Sequence, residues 1–255
     1  MSPRDHAIGL YMEGIRDGAP HEALAAHTGA RYTQHSTGVA DGREGFLAFF
    51  EPFLARNPKR DIRVVRALED GAHVFVHAYQ SLNDGADQWV TMDFFDSDAD
   101  GKIVEHWDVI APFNGHTASG RTSVDGETEI TDPDQTAANK ALIAAFFDIC
   151  LIGRETDRMG AFIAPDLLQH SPDLGDGLDS FQSFYAAADC PLSYQERFLM
   201  VGEGSFVATL NRAKWDDQDL CRANLFRIAG GKIVEHWDLS EPVPPREDWA
   251  NSGKF

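Results

Sequence analysis

Along this chain apolar residues first recur at helical spacing and then alternate, and the whole sequence of patterns occurs twice. Ile8, Tyr11, Met12 and Ile15 share one face of a predicted helix that Gly18 ends. A short second helix is predicted over residues 21–28. A third begins after Asp41-Gly42 and carries Phe46, Phe49 and Phe50. Strands are predicted over residues 61–68, 73–81, 89–96 and 103–111, with Asp70-Gly71, Asp84-Gly85 and Asp100-Gly101 as turn signals between them. The order then restarts. Asp132 and Pro133 make an N-cap and N1 pair, followed by an apolar stripe of Ala138, Leu142, Ala145, Phe146 and Ile149. A short helix over residues 157–163 and one bearing Phe181, Phe184 and Tyr185 come next. Strands over 193–201, 206–215, 220–228 and 233–239 close the second half. Three N-terminal helices packed on a curved, mainly antiparallel sheet make each half an α+β module.

The halves are related in sequence as well as in pattern. Gly101-Lys102-Ile103-Val104-Glu105-His106-Trp107-Asp108 recurs as Gly231-Lys232-Ile233-Val234-Glu235-His236-Trp237-Asp238, eight identities in a row, which chance does not produce. Upstream, Gln34-His35-Ser36 matches Gln169-His170-Ser171, and Gly18, Gly42, Phe46 and Phe49 match Gly153, Gly177, Phe181 and Phe184. A whole domain has been duplicated, which is not the short period of a solenoid. The expected organisation is a first domain over residues 1–114, a linker over 115–132, a second domain over 133–242 and a tail over 243–255. The linker is rich in Thr, Ser, Gly and Asp without periodicity, and Pro242, Pro244 and Pro245 make the tail extended.

The order of helices, Gln-His segment, helix and closing strand meander resembles the SnoaL-like branch of the NTF2-like superfamily, and more narrowly its predicted aldol-condensation group. The residues that carry the resemblance are Gln34-His35, Val74 to His77, Met92 to Phe95 and Gly101 to Asp108, with Gln169-His170, Asn224 to Arg227 and Gly231 to Asp238 in copy two. It implies tandem cystatin-like cones, each around a pocket that works without metal or cofactor. It does not fix a reaction, because the superfamily holds cyclases, isomerases, dehydratases, epoxide hydrolases and non-catalytic modules.

His77 interrupts an apolar strand, alternating with Phe75 and Tyr79, and Asp93 sits inside a strand between Met92 and Phe94. A carboxylate on a buried sheet face is costly unless paired, and burial raises its proton affinity toward that of a base working near neutral pH. An Asp93–His77 pair would suit proton abstraction beside a carbonyl; alternatively the two simply satisfy one another. His106 and Asp108 share one face of the last strand, Glu105 and Trp107 the other, and the sequence leaves open which pair looks inward. His35 is expected near a helix end at the pocket rim. The catalytic candidates are therefore Asp93, His77, His35 and His106. The candidate ligand contacts are Phe75, Tyr79, Trp107, Asp108 and Phe49, with His170, Asn224, His236 and Trp237 in copy two. His35, His77, Asp93 and His106 lack any local HxH or HExxH spacing, so no metal is expected. Leu210 and Asn224 stand where copy one has His77 and Asp93, which makes copy one the better candidate for chemistry.

The expected activity is metal-independent acid–base chemistry on a small apolar carbonyl compound: aldol-type cyclisation, isomerisation or dehydration. The alternatives are a small-molecule-binding module and an interaction protein whose cones are filled by its own aromatics. A formal charge of −19 argues against nucleic acid and anionic membrane surfaces, which need clustered Lys and Arg. No apolar stretch is expected to reach the roughly 20 residues that span a bilayer, and no signal-peptide core is seen, so a cytoplasmic location is expected. Cys150, Cys190 and Cys221 form no disulfide framework and read as small buried hydrophobes. Because the resemblance implies dimerisation through the sheet surface turned away from the pocket, the two copies are expected to pair within one chain, monomeric overall.

Overall fold

The structure is a computed structural model that describes all residues, Met1–Phe255. Helix α1, Pro3–Gly9, starts from a capping box in which Ser2 Oγ accepts from the Asp5 amide and the Asp5 carboxylate accepts from the Ser2 amide. It continues as a wider π-helical segment, Leu10–Arg16, which puts Leu10, Tyr11 and Ile15 into the core. Helices α2, Pro20–His27, and α3, Gly42–Arg56, flank the strand β1, Thr28–Gln34. Four long strands follow: β2 Arg60–Asp70, β3 His73–Leu82, β4 Asp87–Ser97 and β5 Ile103–Pro112. The sheet order is β1-β5-β4-β3-β2, with β1 parallel to β5 and the remaining pairs antiparallel.

The second copy repeats this plan with α4 Thr136–Phe146, its π-helical continuation Phe147–Ile152, β6 Ile163–Gln169, α5 Leu178–Ala186, β7 Leu192–Glu203, β8 Phe206–Trp215, β9 Gln218–Ala229 and β10 Lys232–Pro242. Its sheet order, β6-β10-β9-β8-β7, is that of the first. The counterpart of α2 is a single 3-10 stretch, Thr156–Ala161.

Several expectations change. The parallel strands β1 and β6 were not predicted, and His35 therefore follows a strand rather than a helix end. Asp132 does not cap α4: its backbone is left-handed at φ 54°, and its side chain makes no capping bond. Pro133–Ile152 forms one helix of 20 residues whose most apolar window reaches a mean hydropathy of 1.3, long and apolar enough by composition to cross a membrane. The apolar stripe alone does not reveal this length, because Asn139, Lys140 and Asp148 interrupt the apolar run. Ile143, Phe146, Phe147, Cys150 and Leu151 on this helix are built into the apolar core of the second copy.

The connector and the tail also differ from expectation. The chain divides into one compact unit of Met1–Pro112 with Val243–Phe255, and another of Phe113–Pro242. Neither segment is a free connector; each straps one unit. In the first, the Ala250 amide donates to Thr37 O at 2.8 Å, and Asn251 Nδ2 donates to the carbonyls of Ser36 and Val39 at 2.6 and 2.8 Å. In the second, Ser119 Oγ donates to Gln169 O at 2.6 Å and Arg121 pairs with Asp176 at 2.6 Å.

Candidate active site

Strand register decides which side chains meet. Asp93 on β4 faces Val76 on β3 and Asp108 on β5, while His77 faces Met92. Alternation then puts Trp89, Thr91, Asp93, Phe95, His106, Asp108 and Ile110 on the inner face. Phe75, His77, Tyr79, Glu105 and Trp107 fall on the outer face. The question of the last strand is thereby answered: His106 and Asp108 look into the cone.

The inner face, with Leu10, Tyr11, Ile15, Tyr32 and the α3 aromatics Phe46, Phe49, Phe50 and Phe53, encloses a cavity of about 200 Å³. Its polar groups are gathered at the sheet. Asp93 is 2% exposed, and Oδ1 lies 2.9 Å from His106 Nε2. Its Oδ2 accepts from Tyr11 Oη at 2.7 Å, and Tyr11 Oη also lies 2.7 Å from Thr91 Oγ1. Burial first, then the Asp93 charge, pushes the Tyr11 phenol far above its ordinary value, so it stays protonated and a donor. Gln34 Nε2 donates to Tyr32 Oη at 3.3 Å, which turns Gln34 Oε1 toward His106 Nδ1, 2.9 Å away. Nδ1 must therefore donate, and Nε2 is the ring nitrogen that shares a proton with Asp93.

Asp108 completes the cluster. The ligand atoms of Asp93, His106 and Asp108 lie within 4.8 Å of one another, close enough to hold a cation. The cation present is the ammonium of Lys254, whose Nζ is 2.6 Å from Asp108 Oδ1. Burial opposes ionisation of Asp108, but Lys254 and then His106 outweigh it and hold the carboxyl below its usual range.

The sequence-derived candidates divide accordingly. Asp93, His106, Asp108 and Phe49 come together at the cavity. The expected Asp93–His77 pair does not form: His77, 0% exposed, lies on the outer face with Nδ1 3.2 Å from Arg66 Nη1. Phe75, Tyr79 and Trp107 share that outer face and do not line the cavity, because a one-residue step along a strand reverses the direction of the side chain. His35 also lies outside. It stacks on Trp107 with ring centroids 4.6 Å apart, and its Nδ1 and Nε2 meet Gly253 O at 2.6 Å and Glu105 Oε1 at 2.8 Å. Tyr11, Tyr32 and Lys254 were not anticipated. Tyr11 was visible only as a member of the first helical stripe, and nothing in the pattern of the tail singled out Lys254.

Copy two preserves the outer arrangement and alters the inner one. His170 stacks on Trp237 at 4.7 Å, with Nδ1 2.9 Å from Thr122 O and Nε2 2.9 Å from Glu235 Oε1. His170 and Trp237 therefore bind the strap and stay off the inner face. Within the cone, Asn224 Oδ1 accepts from Tyr194 Oη at 3.0 Å and from His236 Nε2 at 3.1 Å. Arg222 enters the cone and pairs with Asp238 at 2.6 Å while its Nε donates to Tyr194 Oη at 3.0 Å. Burial first, then Arg222 and His170, drives His236 well below its ordinary value and keeps it neutral. The inner site of copy two thus holds an amide and a guanidinium where copy one holds a carboxylate and the Thr91 hydroxyl.

Residues 11–106 match the family model of the SnoaL-like domain. The match lies within the first copy, and the second copy repeats its strand order and two of its sequence segments, so the chain is a tandem α+β duplicate of which the first copy carries the SnoaL-like match. No curated protein matches the chain. Among solved structures, a proposed ketosteroid isomerase from Kribbella flavida is 22% identical with a TM-score of 0.38, over 44% of this chain and 87% of that one. IdmH, a proposed polyketide cyclase from Streptomyces antibioticus, is 22% identical with a TM-score of 0.38, over 43% and 92%. An epoxide hydrolase from M. tuberculosis is 14% identical with a TM-score of 0.37, over 42% and 85%.

Proposed function

We propose that the first copy is an enzyme that moves protons on a small, largely apolar carbonyl compound, in an aldol-type cyclisation, an isomerisation or a dehydration. One observation carries the reading: the only carboxylate bonded to both a histidine and a phenol stands at the polar end of an apolar cavity. In this reading Asp93 takes the proton from the carbon beside the carbonyl, and the C–H electron pair becomes the enolate. Tyr11, held protonated, is the nearest neutral donor for the enolate oxygen, and His106 Nε2, bonded to Asp93 Oδ1, orients the carboxyl that later returns the proton to carbon. The chemistry is carried by the chain's own side chains without metal. A cavity of about 200 Å³ is below the usual range of ligand pockets, about 300–1,000 Å³, so the enclosed part of the substrate is small.

A second reading, binding without turnover, is favoured by one feature: both oxygens of Asp93 already have partners. Exchange of hydrogen for deuterium separates the two. A panel of small apolar ketones and β-diketones is incubated with the protein in D₂O and followed by NMR. The enzyme reading expects exchange beside the carbonyl, falling by about 10²–10⁴-fold in D93N. Exchange that is equal in D93N and wild type would leave only the binding reading.

A further inference from the structure

The tail after the second copy's last strand delivers a lysine to the first copy's site. Lys254 is 0% exposed, and its Nζ donates to Asp108 O at 2.8 Å and to Asp108 Oδ1 at 2.6 Å. Lysine is almost never fully buried unless an opposite charge holds it. The second copy meets the same requirement with another residue: Asp238, the counterpart of Asp108, is paired at 2.6 Å with the buried Arg222 of β9. Copy one has Thr91 at that strand position, so its cation comes from the tail.

The charged and titratable groups around Asp108 are Lys254 from the tail, His106 from its own strand, Asp93 from β4, Tyr11 from the π-helical segment and Tyr32 from β1, with the Ser36 hydroxyl as a further donor. With both carboxylates ionised and both Lys254 and His106 protonated, the cluster is neutral overall, the arrangement that costs least in an apolar cone. Without the ammonium, two carboxylates would face one imidazolium, and like charges in one site force one of them to take up a proton.

We propose that Lys254 is a positioning residue of the copy-one site: by holding Asp108 ionised it keeps the mobile proton on His106 Nε2, bonded to Asp93 Oδ1, and leaves Asp93 unprotonated. The importance of this for turnover rests on the acid–base reading, but its test does not. Full-length protein labelled with ¹³Cγ-aspartate is titrated by NMR over about pH 3 to 8, as wild type, K254M and K254R. D93N and D108N assign the two resonances. In K254M one of the two carboxyls is expected to titrate about 1–3 pH units higher than in wild type, and K254R should restore it. A folded K254M with both titrations unchanged would overturn the proposal. Should K254M unfold, the double variant K254M/D108N decides: recovery of the melting temperature supports it, and a double variant as unstable as K254M makes Lys254 a packing residue only. Loss of the acid–base reading would appear instead as deuterium exchange that survives D93N, with these titrations unaffected.

Discussion

Leu210 occupies in copy two the position of His77 in copy one, so the fold itself accepts an apolar side chain there. Since His77 meets Arg66 on the outer face, the H77L exchange should leave deuterium exchange at the cavity unchanged. It should lower stability by about 1–3 kcal/mol, the cost of taking one partner from a buried polar group. Thermal unfolding and the exchange assay on one sample check both halves; a loss of exchange without loss of stability would return His77 to the site. Tyr11 is expected to behave in the opposite way. Y11F removes the only phenol bonded to Asp93 and should reduce exchange while unfolding near the wild-type temperature. At this scale the sequence marks Asp93 as a candidate, because a polar residue inside an apolar strand is conspicuous, and His106 as another, because its segment recurs. Their pairing was not legible. A two-residue period says which side chains share a face within one strand, but the partner across the ladder depends on register, and the register here sets Asp93 against Val76 rather than His77.

The long strands were readable as elements because alternation and Asp-Gly turns coincide, and Asp84-Gly85 does take left-handed backbone at both positions, φ 61° and 88°. Strands β1 and β6 were not, since a short parallel strand beside a loop has neither a tight turn nor a long alternating run. Their role is now plain: each ends in a Gln-His pair that ties to β5 or β10. Gln34 holds His106, and His35 holds Glu105 and stacks on Trp107, so the repeated Glu-His-Trp segment and the Gln-His segment are two halves of one lock. In copy two the lock includes His236, and its neutrality has a cost in acid. Above pH 6.5 the imidazole is neutral folded and unfolded; below it the unfolded chain takes up a proton that folded His236 refuses, so stability falls as the pH drops from 6.5 toward its depressed folded value. Denaturant unfolding followed through the second copy should therefore weaken as the pH falls below about 6.5. In H236F that slope should be absent, whatever its absolute stability; an unchanged slope would assign the acid sensitivity to another group.

At the scale of the chain, the segment expected as a linker and the segment expected as an extended tail turn out to be equivalent parts of the two units. Their composition hid this, because both are held mainly by backbone carbonyls and by glycine rather than by an apolar stripe. Gly126 and Gly253 show how closely the straps are built: a Cβ on Gly126 would stand 2.2 Å from Glu235 Oε1, and one on Gly253 would stand 2.2 Å from the Trp249 ring, both at positive φ. The second unit is one continuous stretch, Phe113–Pro242, whereas the first needs Val243–Phe255. Ending the chain at Pro242 should thus act on the first unit alone. It removes the acceptor of His35 Nδ1 and the cation of Asp108, and breaking a buried ion pair by losing one partner costs about 3–5 kcal/mol. Amide hydrogen exchange by mass spectrometry should then quicken in β1 and β5 and stay unchanged in β6 and β10. Deuterium exchange on ketones should fall together with the first unit's protection. Equal loosening of both units would mean that the strap stabilises the whole chain rather than the site it enters, and unchanged protection in β1 and β5 would mean that the first unit does not depend on it.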